Sequence, residues 1–235
     1  MNTNILVIDT ATGAGGVGLL IQGVLRGQRR FSDSRSQAQK VFPFVTELLS
    51  DAGISLADLQ AVAVCIGPGA FTSLRIGIAT AKSLAEVLSI PVIGVSSMAA
   101  VARLAPGFPA AILLPASRGE VFAAVAEAPA DSAHDATLSA ISVVSIENWS
   151  PVSGHPIRYI LSSRQEFLDG ELPFASDEHR RVLIPENRIE QFAAIARDRF
   201  RSGDFDDPVA LDATYARRDD ADGSWQDPRT TSSEA

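Results

Sequence analysis

The chain has 235 residues, 46% of them apolar and 20% charged, which suits one large domain or two small lobes with a core that needs no staples. Its formal charge of −8 opposes condensation on a nucleic-acid backbone, so the chain is not expected to be the main binder of any RNA it serves. No apolar run approaches the roughly 20 residues that span a bilayer, and Met1-Asn-Thr-Asn4 lacks a basic leader, so neither membrane insertion nor export is expected. The single cysteine, Cys65, excludes an internal disulfide and fits a reducing cytoplasm.

In chain order, the run Ile5-Leu6-Val7-Ile8 and the segment Val17 to Ile21 read as two strands joined by the polar turn Asp9-Thr10-Ala11-Thr12-Gly13. Gln22-Gly23 makes a tight return into Val24-Leu25, so the opening is an antiparallel meander of three strands. From Ala38 to Ala52 the apolar positions Val41, Phe44, Val45, Leu48 and Ala52 follow helical spacing, with Phe42 and Leu49 widening the band and Gly53 as the stop. Pro43 belongs in the first turn of that helix or kinks it, because an interior proline costs about 3 kcal/mol.

Leu59 to Ile66 reads as a buried strand, Gly67 to Ser73 as a loop, Leu74 to Leu88 as a helix, Pro91 to Val95 as a strand and Ser97 to Leu104 as a short helix. The order β-β-β-α-β-α-β-α combines a meander with helical crossovers, as in one lobe of the ribonuclease H-like and actin-like ATPase folds. The punctuation Leu104 to Pro109 divides an N-terminal lobe, 1–106, from a smaller C-terminal lobe, 107–218. That second lobe holds a hairpin of Ala111 to Leu114 with Val121 to Ala126, an exposed loop over 129–140, strands at Ile141 to Val144, Ile157 to Leu161 and Val182 to Ile184, and a helix from Glu186 to Phe200. The polar tail, 219–235, has the composition of a disordered segment.

Three features carry chemistry. Asp9, Thr10 and Thr12 present a carboxylate and two hydroxyls between strands, as a magnesium-bound phosphate needs, but an ordinary turn with local backbone bonds outweighs that reading. Gly67, Gly69 and Thr72 lie in a glycine loop between a buried strand and a helix start, where an anion or a simple tight connection fits equally well; no Gly-Lys-Ser/Thr triplet follows. Gly77, Ala81 and Ala85 recur every four residues and leave one helix edge nearly bare. Together with the wide band of the Ala38 to Ala52 helix, this strip is read as a partner interface formed by Val41, Phe44, Val45, Leu48, Gly77, Ala81 and Ala85, against the alternative of packing on the chain's own sheet. His134, His155 and His179 are scattered in polar stretches and read as solvent-exposed, not as metal ligands.

Ile5 to Thr12, Cys65 to Ala85, Pro91 to Ser97 and Arg118-Gly-Glu-Val-Phe122 closely resemble the bacterial TsaB (YeaZ) family of tRNA threonylcarbamoyladenosine biosynthesis proteins, in matching order over residues 4 to 126. Tyr215 to Ala221 resembles the family's C-terminal end. The resemblance implies an α/β, actin-like ATPase fold of two lobes with the second reduced. It also implies a cytoplasmic, non-catalytic paralogue of TsaD, the subunit that transfers threonylcarbamoyl to the adenosine beside the anticodon of tRNAs reading codons that begin with A. TsaD would dock on the first two helices, TsaE would join the assembly, and tRNA would be met only through the complex, with a homodimer as the alternative state in isolation. ATP, ADP and magnesium would belong to the partner subunits, leaving this chain no cofactor and vestigial phosphate loops. Gln37-Ala38, Pro115 to Ser117, Ala70 and Ser73 depart from the family pattern and remove polar groups. The competing function is a stand-alone nucleotide-dependent or peptidase-like enzyme that uses Asp9.

Overall fold

Ile5–Asp9 forms β1, every residue of it buried, and pairs antiparallel with β2, Gly16–Ile21, in the register Ile5↔Leu20 to Asp9↔Gly16. The chain is described from a computed structural model that covers residues 3–33, 35–117, 119–128, 136–170, 172–214 and 216–218. Gln22 and Gly23, with φ of 53° and 76°, supply the two left-handed residues of a tight hairpin turn into β3, Val24–Arg30. Next come α1, Gln37–Ala52; β4, Ala61–Gly67; α2, Phe71–Leu88; β5, Val92–Ser96; and α3, Ser97–Ala102. The first sheet runs β3-β2-β1-β4-β5, with β1, β4 and β5 parallel, as the alternation of strands and helices predicts. Pro43 falls in the second turn of α1, not the first, and is exposed there.

Gly18 and Gly27 show how the layers form. A Cβ on Gly27 would lie 2.9 Å from Leu48 of α1, and a Cβ on Gly18 would lie 2.5 Å from Ile189. Leu19, the neighbour of Gly18, pairs with Gly27, and adjacent strand residues point to opposite faces, so α1 covers one face and Ile189 the other. Ile189 opens the last helix, α5, Ile189–Ser202, whose stripe Ile189, Phe192, Ala193, Ile195 and Ala196 is buried in the core of this sheet. Each fully buried large side chain in that stripe contributes about 1.5–3 kcal/mol. The helix ends at Gly203, φ 74°, and Arg199 then pairs with Asp204 and Asp206. Asp206 in turn accepts the Gly94 N–H at 2.6 Å and bridges to Val92, so the strap after α5 borders β5.

This corrects the division at residue 106. Among the described residues, the compact units are 3–100 with 186–214, and 101–185 with 216–218. The helix expected to belong to the second lobe returns to the first because its apolar stripe matches the sheet face opposite α1.

In the second unit β6, Ala110–Pro115, pairs antiparallel with β7, Glu120–Glu127, through a turn with Gly119 at φ 79°. Two-residue β8, Thr137–Leu138, and β9, Ser142–Ser145, both lie on β7. Tyr159–Ser162 forms β10, Gln165–Asp169 the single-turn α4, Arg180–Leu183 β11 and Arg217–Arg218 β12. The order β11-β10-β6-β7-β9-β12 contains β9-β7-β6-β10-β11, the same arrangement as the first sheet, with the helix between β10 and β11 cut to one turn. This second lobe is reduced, as expected. Ala111, Leu113, Val121, Ala123, Ile160 and Leu168 form its core, beside Trp149 packed edge-on to Phe174. Residues 129–135 of the expected loop, His134 among them, and the 219–235 tail lie outside the described residues.

Candidate functional site

Asp9 ends β1 fully buried, and its Oδ1 accepts the Ala11 N–H at 2.9 Å while Oδ2 has no partner. Burial pushes its carboxyl above the ordinary carboxylate value; the Arg188 charge, the Ala11 N–H and the Cys65 thiol pull it partly back. Burial likewise pushes the Cys65 thiol well up, and the Asp9 charge adds to the effect, so this cysteine is an inert core residue. Arg188, just ahead of α5, is 1% exposed; its Nε and Nη1 lack hydrogen-bond partners and, among the described residues, it makes no close ion pair. Asp9 and Arg188 therefore form a buried, through-space charge couple under the start of α5. Nothing local in the sequence around residue 188 signals this.

The two candidate phosphate loops come together, but they close on each other. The Ala70 N–H, at the start of α2, donates to the Ala11 carbonyl at 3.0 Å, and a Cβ on Gly69 would meet that of Ala11 at 2.7 Å. A Cβ on Gly77 would overlap the Thr10 hydroxyl, whose Oγ1 is buried without a partner. Gln37 is buried at the start of α1 and its Nε2 donates to the Thr12 carbonyl at 2.6 Å, so the departure from the family pattern at this position supplies a new clasp. Gly67 needs its glycine at φ 103°, and Thr72 is exposed in the first turn of α2. The carboxylate of this loop has no exposure, and the Ala70 amide at the start of α2 is already bonded.

The predicted interface residues are also placed differently. Val41, Val45, Leu48, Ala81 and Ala85 belong to the chain's own core, Ala81 at 0% exposure, and Gly77 faces Thr10. Phe44 is half-buried and stacks on Phe31 at 5.5 Å. Apolar periodicity reports a face that needs covering, and here the sheet covers it. The outward faces of the same helices carry Phe42 and Phe71, each 51% exposed, and Val87 at 81%. Arg75 lies 4.0 Å over the Phe71 ring. Beside α2, Lys82 donates to the Val209 and Leu211 carbonyls and holds the strap over a depression of about 370 Å³ lined by Ile78, Ala79 and Leu211.

His155 is exposed, whereas His179 is half-buried and its Nδ1 accepts the Ser176 N–H at 2.8 Å, a local turn bond that corrects the expectation of full exposure. Among the described residues no three of His, Cys, Asp and Glu are grouped to hold a metal ion.

Comparison with known proteins adds three findings. Residues 32–164 match the family model described as TsaD: tRNA N6-adenosine threonylcarbamoyltransferase. An uncharacterized protein of Mycobacterium tuberculosis is 43% identical over 101 residues, 42% of this chain and 48% of its own, and the tRNA threonylcarbamoyladenosine biosynthesis protein TsaB of Escherichia coli is 40% identical over 99 residues, 42% of each. The chain thus spans about half the length of the curated relatives it matches. The structure of YeaZ from Pseudomonas aeruginosa has the same fold, with a TM-score of 0.75 and 23% identity over 91% of this chain and 99% of that one. The names of the Escherichia coli and Pseudomonas aeruginosa proteins agree with the resemblance carried by the Cys65 to Ala85 motif.

Proposed function

The chain belongs to the TsaD family of tRNA N6-adenosine threonylcarbamoyltransferases, and from that premise we propose that it is a non-catalytic scaffold subunit that binds and orders a catalytic TsaD-type subunit in tRNA threonylcarbamoyladenosine synthesis. The observation that carries the reading is the closed state of its own loops: Asp9 has no exposure and the Ala70 amide is spent on Ala11, in a fold whose related proteins are named for this tRNA modification. A carboxylate with no exposure cannot reach a substrate, which weighs against the stand-alone enzyme that would use Asp9.

In this reading the partner docks on the outward faces of α1 and α2, where Phe42, Phe71 and Val87 stand clear of the sheet. Exposed aromatics are among the anchors that protein interfaces favour. TsaE, ATP and magnesium enter through the partner, tRNA is met within the assembly, the protein works in the cytoplasm, and a homodimer through the same face is the competing state in isolation.

The test is co-purification of the full chain with TsaD from the same organism, repeated with Phe42→Glu combined with Phe71→Glu. The double variant should keep its thermal transition and lose the partner. Retention of the partner by a folded double variant would move the interface elsewhere, and Asp9-dependent ATP or peptide hydrolysis by the isolated chain would replace the scaffold with an enzyme.

A further inference from the structure

Tyr159 opens β10 with 8% exposure and stands in register opposite Arg180 on β11. The Arg180 N–H donates to the Arg158 carbonyl at 3.0 Å, so the two arginines are fixed beside each other at the backbone. Their guanidinium carbons lie 5.8 Å and 5.9 Å from the centroid of the Tyr159 ring. Both side chains are exposed, and neither is paired with a carboxylate among the described residues, although Asp177 and Glu178 precede β11 closely. Arg29 and Arg199, by contrast, are each paired with two carboxylates, Arg29 with Glu47 and Asp51 and Arg199 with Asp204 and Asp206. What sets Arg158 and Arg180 apart is that two exposed guanidiniums share one buried ring in a chain of charge −8.

We propose that Arg158 and Arg180, held by Tyr159, form a clamp for the phosphodiester backbone of RNA, used when the chain is assembled with its partner; this rests on the scaffold reading above. The ring holds each guanidinium by cation–π attraction, so little side-chain entropy remains to be lost on binding. Each guanidinium presents a planar fork of N–H donors that matches two phosphate oxygens. Two such contacts contribute a salt-dependence slope of about 1.4–1.8, at about 0.7–0.9 per phosphate. That is too little for an acidic chain to hold RNA alone, but enough to tighten RNA already held by a partner. An acidic protein surface is the competing occupant.

The experiment measures binding of an unmodified tRNA transcript to the complete assembly as a function of salt, for the parent chain, Arg158→Gln with Arg180→Gln, Arg158→Lys with Arg180→Lys, and Tyr159→Leu. Thermal melting and co-purification of TsaD are recorded for each variant. The double glutamine variant should lower the slope by about 1.4–1.8 and weaken binding about tenfold at moderate salt, with assembly intact. The double lysine variant should keep most of the slope, and Tyr159→Leu should keep the slope while losing affinity. An unchanged slope in an intact assembly overturns the clamp. Loss of TsaD from the folded double glutamine variant also overturns it, and assigns the pair to an acidic protein surface. If the parent chain forms no assembly, the scaffold reading fails, and the clamp is then judged on the isolated chain at about 50 mM salt, where weak tRNA retention must disappear with the glutamines.

Discussion

Asp9 and Arg188 are 179 positions apart in sequence, are both buried, and attract each other without a close ion pair. Arg188→Met keeps most of the buried volume and removes the charge that acts on the buried carboxylate. Breaking a buried charge couple from one side costs about 3–5 kcal/mol, a large part of the roughly 5–15 kcal/mol that stabilises a domain. Asp9→Asn keeps the shape and removes a charge that burial already disfavours, so its cost should be smaller although it leaves the guanidinium alone. The double variant removes both charges, so it should be more stable than either single variant, with a coupling energy of about 1–3 kcal/mol. Urea unfolding at neutral pH with an unchanged slope in denaturant is the assay. Costs that add to within about 0.5 kcal/mol would refute the couple and leave Arg188 as a packing residue. The pH response has a definite sign. The carboxyl of Asp9 is raised above its ordinary value of 3.8, so the folded state holds its proton to higher pH than the unfolded state. Its contribution is therefore fully present below that ordinary value and is lost as pH rises through the folded value. Asp9→Asn should flatten that part of the stability profile, and a profile identical to that of the parent chain would count against the burial of this carboxylate.

Ala81→Arg should unfold the isolated chain, because Ala81 has no exposure and a buried, unpaired cation adds to overpacking; Val87→Arg on the outer face should melt within a few degrees of the parent and weaken partner capture instead. Equal stability of the two variants by thermal melting would mean that α2 is turned the other way. Gly77→Ala gains about 1 kcal/mol of helix propensity but drives a methyl into the Thr10 hydroxyl, so a net loss of about 1–2 kcal/mol is expected in denaturant titration. A stabilised variant would show that the turn after β1 yields readily.

Each sheet was legible in the sequence to a different degree. In the first, the apolar runs at β1, β2 and β4, the Gln22-Gly23 return and the periodic α1 and α2 appear within a few residues of their observed bounds. In the second, β9, β10 and β11 were legible because short runs of consecutive apolar residues mark them, but α4, β8 and β12 were not: two residues set no alternation, and five make little more than one helical turn. The glycine loop was legible as a connection that needs glycine, and Gly67, at a positive φ, and Gly69, against Ala11, bear this out.

By itself the sequence determined which side of each helix and strand is apolar, where the chain must turn, and, through the Cys65 to Ala85 motif, the family. Only the tertiary structure decided what each apolar side is apolar against. Val41, Val45, Leu48, Ala81 and Ala85 spell the same stripe whether a partner or the chain's own sheet covers it, since periodicity encodes the need for burial and not its source. The return of α5 to the first sheet, the burial of Asp9 and Arg188 and the exposure of Phe42, Phe71 and Val87 all follow from which surfaces meet once the chain has closed. Residues far apart in sequence make those choices together, through burial and charge that no local window contains.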